Sequence, residues 1–295
     1  MINAITKHDI GPVSIATRAD TDTKLIDLFL ASRVSGNTQR SYSKHIADFF
    51  DVIGNKNLRS ITLDDSVSYL NHLQGLDIAL NSRKLKFNVI KSLFSFATST
   101  GYIPLNPFAP LKAPKGKDSL SARILTEDQV MAMIYKTPKQ RDQLLIRLLY
   151  SSAARISELC ALTWADVSTN GDTGQIVLFG KGGKTRVVKL SKATYTALLT
   201  LAHNPGPDAP IFVSQKGGKL DETQVHRIVK AAALRAGIVG NVSAHWLRHS
   251  HASHALDRGA NIALVRDTLG HSSLAVTSRY THAKPNDSSS LHLAV

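Results

Sequence analysis

"LGHSSLAVTSRY" occupies residues 269–280 and sets the terms on which the rest of the chain is read. A short apolar helix stops at Gly270, a residue suited to the left-handed turn that ends helices. His271 follows at once, a fresh helix is expected over 273–284, and Tyr280 stands nine residues beyond His271 with Arg279 before it. A histidine and a tyrosine held at that spacing after a helix stop pose a chemical question, and the flanking sequence has to answer it.

Three other stretches carry residues that look out of place. In "SAHWLRHSHASHAL" (243–256), His245 and Arg248 are three apart at the start of a helix and share one face. The spacing of His245 and His249 also suits zinc, but no acidic or thiol ligand lies nearby and Arg248 sits between them. His249, His251 and His254 read as helix-surface or core histidines. In "RISELCALTW" (155–164), Arg155, Leu159 and Leu162 fall at i, i+4 and i+7, so the arginine shares the apolar stripe. A buried charge needs a partner, and Glu158 supplies one, as an ordinary structural pair if nothing else. In "LFGKGGKTRVVKL" (178–190), "GGKT" resembles the end of a phosphate-binding loop, but Leu178 stands where that loop needs glycine and a strand follows instead of a helix. What remains is a hairpin tip carrying Lys181 and Lys184, by default a solvated turn. Each feature alone has this kind of ordinary reading. Together they fit one reaction: nucleophilic attack on a phosphodiester without a metal.

Composition agrees with a polyanionic partner. The 36 Lys and Arg residues exceed 22 Asp and Glu, for a formal net charge of +14. Neutralising phosphates with such a surface releases condensed counterions. No basic amphipathic helix with a Trp/Leu face points to membrane binding. Nor does any apolar stretch approach the roughly 20 residues that span a bilayer, and the N-terminus lacks a signal-peptide core. The 295 residues suffice for two domains with proper cores. The single cysteine, Cys160, excludes an internal disulfide and reads as a small buried hydrophobe.

Residues 1–20 have no periodicity and are expected to form a flexible arm. Over 21–112 the pattern is helical throughout. "TDTKLIDLFLASR" places Leu25, Leu28 and Phe29 on one face. The next helix is expected to start at an Asn37 cap and stop at Gly54. A third begins at a Thr62–Asp65 capping box and ends at Gly75, and a fourth starts after Asn81 and ends before Gly101. These four read as a small bundle. Residues 113–122 are polar, proline-containing and basic, a linker. From 123 to 295 the reading is mixed: helices from a Thr126 cap onward, one antiparallel hairpin ("GQIVLFG", "TRVVKLS"), then further helices. The last stretch, "KPNDSSSLHLAV", is polar and weakly helical.

At "ARISELCALTW", "GKGGKTR", "HWLRHSHASHAL", "LGHSS" and "RYTHA" the chain resembles the tyrosine recombinase (phage integrase) family, closest in layout to its Xer-type members. Order and spacing agree over about 125–283, and "GYIPLNPF" before the linker fits the family's N-terminal half. The resemblance implies a mainly α fold with a small antiparallel sheet in the C-terminal domain: a C-shaped DNA clamp of a helical SAM-like core-binding domain and a catalytic domain. It implies Tyr280 as nucleophile, Arg155 and Arg248 on the non-bridging phosphate oxygens, His245 and His271 as hydrogen-bonding partners, and Lys181 as general acid, with Lys184 the lesser candidate. Glu158 would orient the arginines. Lys112, Lys115 and Lys117 of the linker, with Lys184 and Arg186, would touch DNA. The implied reaction is site-specific recombination through a 3′-phosphotyrosyl link and a Holliday junction, with no metal, ATP or other cofactor. The implied partners are double-stranded DNA bearing paired inverted repeats and a homo-tetramer, or a hetero-tetramer with a second recombinase, acting in the cytoplasm at the nucleoid. The role would be chromosome-dimer resolution or mobile-element integration and excision. The competing readings are a type IB topoisomerase and a catalytically idle DNA-binding protein.

Overall fold

The computed structural model describes residues 17–114, 120–180 and 183–281. The chain divides into two compact units, Met1–Lys117 and Asp118–Val295.

The first unit is built from α1 (Asp22–Ala31), α2 (Gly36–Ile53), α3 (Leu63–Gly75) and α4 (Leu80–Ser99). Its core is aromatic. Phe49 meets Tyr69 edge-on at 4.8 Å between ring centroids, and Phe94 meets Phe108 at 4.9 Å. Phe108 comes from the loop after α4 and closes the bundle, while Tyr102 in the same loop donates to Asp22 at 2.6 Å and ties that loop back to α1. The capping box expected at Thr62 is present: the Asp65 backbone N–H donates to Thr62 Oγ1, and the Asp65 carboxylate accepts from the Thr62 N–H.

Several expected details differ here. Leu28 is 48% exposed, while Leu25 and Phe29 are fully buried, so the buried stripe is narrower than the sequence suggests. α2 starts one residue before Asn37, because Ser35 has the extended backbone a cap needs and Asn37 is already helical. α4 likewise begins at Leu80 and takes Asn81 into its first turn. Thr17, expected in the flexible arm, is tied down by its backbone N–H donating to the Thr100 carbonyl at 2.8 Å.

The second unit contains α5 (Glu127–Tyr135), α6 (Gln140–Ser151), α7 (Ile156–Ala161), β1 (Val167–Asn170), β2 (Thr173–Phe179), β3 (Thr185–Leu190), α8 (Lys192–Leu199), α9 (Glu222–Arg235), α10 (Ala244–Asp257), α11 (Ile262–Leu269) and α12 (Leu274–Thr277). The strands form one antiparallel sheet in the order β1-β2-β3. Ile176 faces Val188 and Leu178 faces Arg186 across β2 and β3. Directly opposed residues share a face, so Arg186 points the same way as the buried Val188 and Leu190. β1 was not expected, since "VSTN" offers only one residue of the buried kind and is held by its register with β2.

α10 runs through the middle of this unit with buried residues all around it: Leu247, Arg248, His249, Ser250, Ala252, Ser253 and His254. Several of its polar side chains bond to neighbouring segments. Ser250 accepts from the Leu125 N–H, His251 Nδ1 lies 2.8 Å from the Tyr150 carbonyl, and His254 Nδ1 lies 2.8 Å from the Tyr150 hydroxyl. Leu120, placed in the linker by sequence, is buried with Ile124, Val265, Leu269 and Tyr280. The helix expected over 273–284 is instead one turn of α12 followed by a 3-10 turn over Ser278–Tyr280. Residues beyond 281, including the polar tail, lie outside the described residues. Among the described residues no helix is long and apolar enough to cross a membrane.

The contrast within α1 gives a test. Phe29→Ala should cost about 3–5 kcal/mol of stability by emptying a filled site, whereas Leu28→Ala should change it by less than about 0.5 kcal/mol. Urea unfolding midpoints of the two variants check this, and equal effects would contradict the packing described.

Candidate active site

The site begins at Glu158. This carboxylate sits in the first turn of α7 and caps it by accepting from the Arg155 backbone N–H at 2.8 Å. Arg155 is the residue before the helix, in extended conformation, so it does not stand on the helical stripe as the sequence spacing suggested. Its side chain turns back to Glu158 Oε1 at 2.7 Å. Arg186 reaches the same carboxylate from β3, with Nη1 at 3.0 Å and Nη2 at 2.7 Å. The side chain of Glu158 is 2% exposed and thus takes four hydrogen bonds in near-complete burial. Burial alone would raise its pKa, but the Arg186 hydrogen bonds, then the Arg155 backbone and side chain, outweigh it and hold the carboxyl at about 2.

The end of α11 holds the arginines from the other side. Gly270 adopts φ 63° and terminates the helix, leaving its last carbonyls without helical partners. Arg186 Nε donates to the Thr268 carbonyl at 2.6 Å, Arg248 Nη2 to the Leu269 carbonyl, and Arg155 Nη2 to the Gly270 carbonyl at 3.4 Å. Three successive carbonyls at the negative end of a helix thus receive three guanidiniums. Arg248 also donates to the carbonyl of Ala153, a residue turned to φ 50° at the end of α6. Arg248 is 2% exposed, and burial followed by the nearby charges of Arg155 and Arg186 lowers its pKa to about 10. It stays charged at neutral pH.

Two cavities open on this cluster, and Arg155 lines both. One, about 290 Å³, is bordered by Arg155, Lys184, Arg186, Gly270 and His271. The other, about 270 Å³, is bordered by Arg155, His226, His245 and Arg248. His271 Nδ1 lies 2.9 Å from the buried Thr277 hydroxyl, which fixes the ring and leaves Nε2 free of that contact. The His271 ring stacks on Tyr280 with centroids 6.4 Å apart and planes 10° from parallel. Tyr280 is 6% exposed, and its hydroxyl lies 2.7 Å from His249 Nδ1. Burial raises the phenol's pKa against the pull of Arg248 and Arg279. His245, open to solvent, packs edge-on against His249 at 4.2 Å. Partial desolvation and the charges of Arg248, Arg123 and Arg155 lower its pKa.

The structure thus gathers Arg155, Glu158, Lys184, Arg186, His245, Arg248, His271 and Tyr280 in one region. Arg186, expected to touch DNA, has its guanidinium engaged by Glu158 and Thr268. Lys112 is exposed at the end of the first unit. Lys115, Lys117 and Lys181 lie outside the described residues, although Gly180 and Lys184, which flank the hairpin tip, meet in a 2.7 Å backbone hydrogen bond beside the first cavity. Thr277 was not singled out from sequence, and His249 was read there only as a helix-surface or core histidine once zinc had been set aside. His249 had a signal, since it follows His245 by four positions and shares its face. Among the described residues no group of three His, Cys, Asp or Glu side chains could hold a metal ion.

Three guanidiniums and one carboxylate leave a net positive pocket beside a protonated phenol, a geometry suited to a phosphodiester anion. The phage integrase family model matches residues 123–287, and the model of the phage integrase N-terminal SAM-like domain matches residues 25–101. The chain belongs to the phage integrase family. It is similar to the tyrosine recombinase XerC of Xanthomonas campestris pv. campestris (strain B100), with 31% identity over 284 residues, 92% of this chain and 86% of that one. A solved lambda integrase dimer bound to a COC' core site matches over 91% of this chain and 79% of the other, at a TM-score of 0.73 and 19% identity. A lambda integrase tetramer bound to a Holliday junction matches over 85% and 76%, at a TM-score of 0.70 and 18% identity. The recombinase is therefore a DNA strand-transferring enzyme, and the topoisomerase and idle-binder readings are not favoured.

Three histidines of the recombinase, His249 buried and His251 and His271 partly buried, predict a pH dependence. Burial first, then neighbouring cations, hold His249 at about 3 and His271 at about 4, and burial holds His251 at about 4. Unfolded, each would bind a proton near pH 6.5. The unfolded state therefore holds more protons between about pH 6.5 and 4, and stability falls as pH drops through that window. Glu158 stays ionised throughout. Thermal melts should give a lower Tm at pH 5 than at pH 7, and an equal or higher value would contradict the assignment.

Proposed function

We propose that this recombinase cuts and rejoins duplex DNA at paired inverted-repeat sites, with Tyr280 as the nucleophile. Tyr280 Oη attacks the scissile phosphorus, the bond to the 5′-oxygen breaks, and a 3′-phosphotyrosyl link conserves the ester for rejoining. Arg155 and Arg248 bind the non-bridging oxygens, and His245 and His271 add hydrogen bonds to them. Lys181 protonates the departing 5′-oxygen, with Lys184 as the lesser candidate. Glu158 is a positioning residue for Arg155, and the reaction as written needs neither metal nor ATP.

The observation that carries this reading is the set of three guanidiniums held against one carboxylate and one helix end, with His271 and Tyr280 alongside. Negative charge develops on the phosphoryl oxygens in the transition state, and donors fixed beforehand in a water-poor site stabilise it without reorganising.

The proposed organisation is a core-binding domain over 21–112 that ends at Lys112, a basic linker over 113–122 carrying Lys115 and Lys117, and a catalytic domain over 123–295. Four protomers, of this chain alone or with a second recombinase, act on two sites and pass through a Holliday junction. The place of action is chromosomal DNA in the cytoplasm, in dimer resolution or in the movement of an integrating element. The net charge of +14 supports DNA as partner.

A nicked suicide duplex, whose short 5′ fragment diffuses away after cleavage, tests the nucleophile. The wild-type protein should accumulate a covalent protein–DNA adduct, and Tyr280→Phe should form none while binding the duplex within about threefold of wild type. Adduct formation by Tyr280→Phe at the wild-type rate would overturn the reading.

A further inference from the structure

Resting on the recombinase reading above, we propose that His249 is the proton acceptor for Tyr280. As Tyr280 Oη forms its bond to phosphorus and the bond to the 5′-oxygen breaks, the phenolic proton passes to His249 Nδ1. The departing oxygen takes its proton from the general acid. In rejoining, the 5′-hydroxyl attacks and gives its proton back to the group that served as general acid, the tyrosyl–phosphorus bond breaks and Nδ1 returns its proton to Tyr280. No other reactant is needed.

The geometry is direct. His249 Nδ1 lies 2.7 Å from Tyr280 Oη, within hydrogen-bond reach of the atom that must lose its proton. Both residues are buried, with ring centroids 5.6 Å apart. The imidazole is set by its place on α10 and by His245, whose ring packs edge-on against it. His271, whose ring stacks on the tyrosine, has its Nδ1 committed to Thr277. Neither of the expected histidines, His245 and His271, touches the phenolic oxygen through a hydrogen bond given by the structure, and His249 does.

The surroundings also explain why the proton waits for substrate. The groups acting on His249 are His245 and Arg248 from its own helix, Arg123 from the 3-10 turn before α5, and Arg279 beside Tyr280. Burial and these charges keep the imidazole neutral, so Nδ1 can accept. Burial likewise keeps the phenol protonated. A phosphodiester entering the arginine cluster brings the negative charge that offsets those cations. The imidazolium is then less costly, and transfer is coupled to the presence of the scissile phosphate.

Single-turnover cleavage of the suicide duplex tests this with His249→Ala, His249→Asn and Tyr280→Phe. The asparagine keeps an acceptor oxygen near the Nδ1 position but cannot take the proton. Both His249 variants should cleave about 100-fold more slowly than wild type, with duplex binding and Tm close to wild type. Replacing Tyr280 by a fluorinated tyrosine, a more acidic phenol, should recover at least about tenfold in either His249 variant and change the wild type little. Cleavage by His249→Ala within about threefold of wild type would overturn the proposal. So would full recovery in His249→Asn, which would reduce His249 to holding the phenol in place, or the absence of recovery with fluorotyrosine. If His249→Ala fails to fold, His249→Asn with and without fluorotyrosine makes the same decision. An adduct from Tyr280→Phe would instead sink the recombinase reading on which this rests.

Discussion

The constraint on which the site depends is the sharing of three guanidiniums between one carboxylate and one helix end. Glu158 takes Arg155 and Arg186, and the last carbonyls of α11 take Arg186, Arg248 and Arg155. Without these partners, three like charges this close would repel and the side chains would swing to solvent. With them, the cations are fixed and still outnumber the one carboxylate that binds them. The helix stop at Gly270 serves twice, since it frees the carbonyls and places His271 directly after them. That is the physical reason a glycine, a histidine and, nine residues on, a tyrosine occur together.

Burial decides which cations matter for chemistry. A unit charge about 4 Å from an oxyanion is worth roughly 1 kcal/mol in water, and roughly 4 kcal/mol at the effective dielectric of a protein surface or cleft. At about 1.4 kcal/mol per tenfold in rate, the fixed arginines can supply orders of magnitude that exposed side chains such as Lys112 cannot. Exposed lysines suit the other task, counterion release along a duplex. The same burial that strengthens the arginines hinders the nucleophile, because it keeps the Tyr280 phenol protonated. A proton acceptor beside that oxygen resolves the conflict.

Much of this was legible in the sequence, and the failures have physical causes. Thr62 and Thr126 announced helix starts through local chemistry, because a capping box needs nothing beyond its own four residues. Gly270 announced its stop in the same way. Arg155 was placed on a helical stripe because "RISELCALTW" has the right period, yet the helix is only six residues long and begins after it. The pairing with Glu158 survives that error, since a capping carboxylate reaches the residue before the helix as readily as one inside it. Arg186 looked like a surface cation, but alternation along β3 puts it in phase with Val188 and Leu190, and it turns inward. His249 and Thr277 owe their roles to contacts between segments distant in the chain or separated by a turn, which periodicity cannot report.

The proposed chemistry requires Arg155, His245, Arg248 and His271 to surround one anion within reach of Tyr280. The most direct test is a crystal structure of the protein on its cleavage-site duplex, with vanadate standing in for the scissile phosphate. Vanadate oxygens should lie within hydrogen-bond distance of all four side chains, with Tyr280 Oη in an apical position. Vanadate bound elsewhere, or Tyr280 Oη out of reach of it in the occupied complex, would contradict the proposed chemistry.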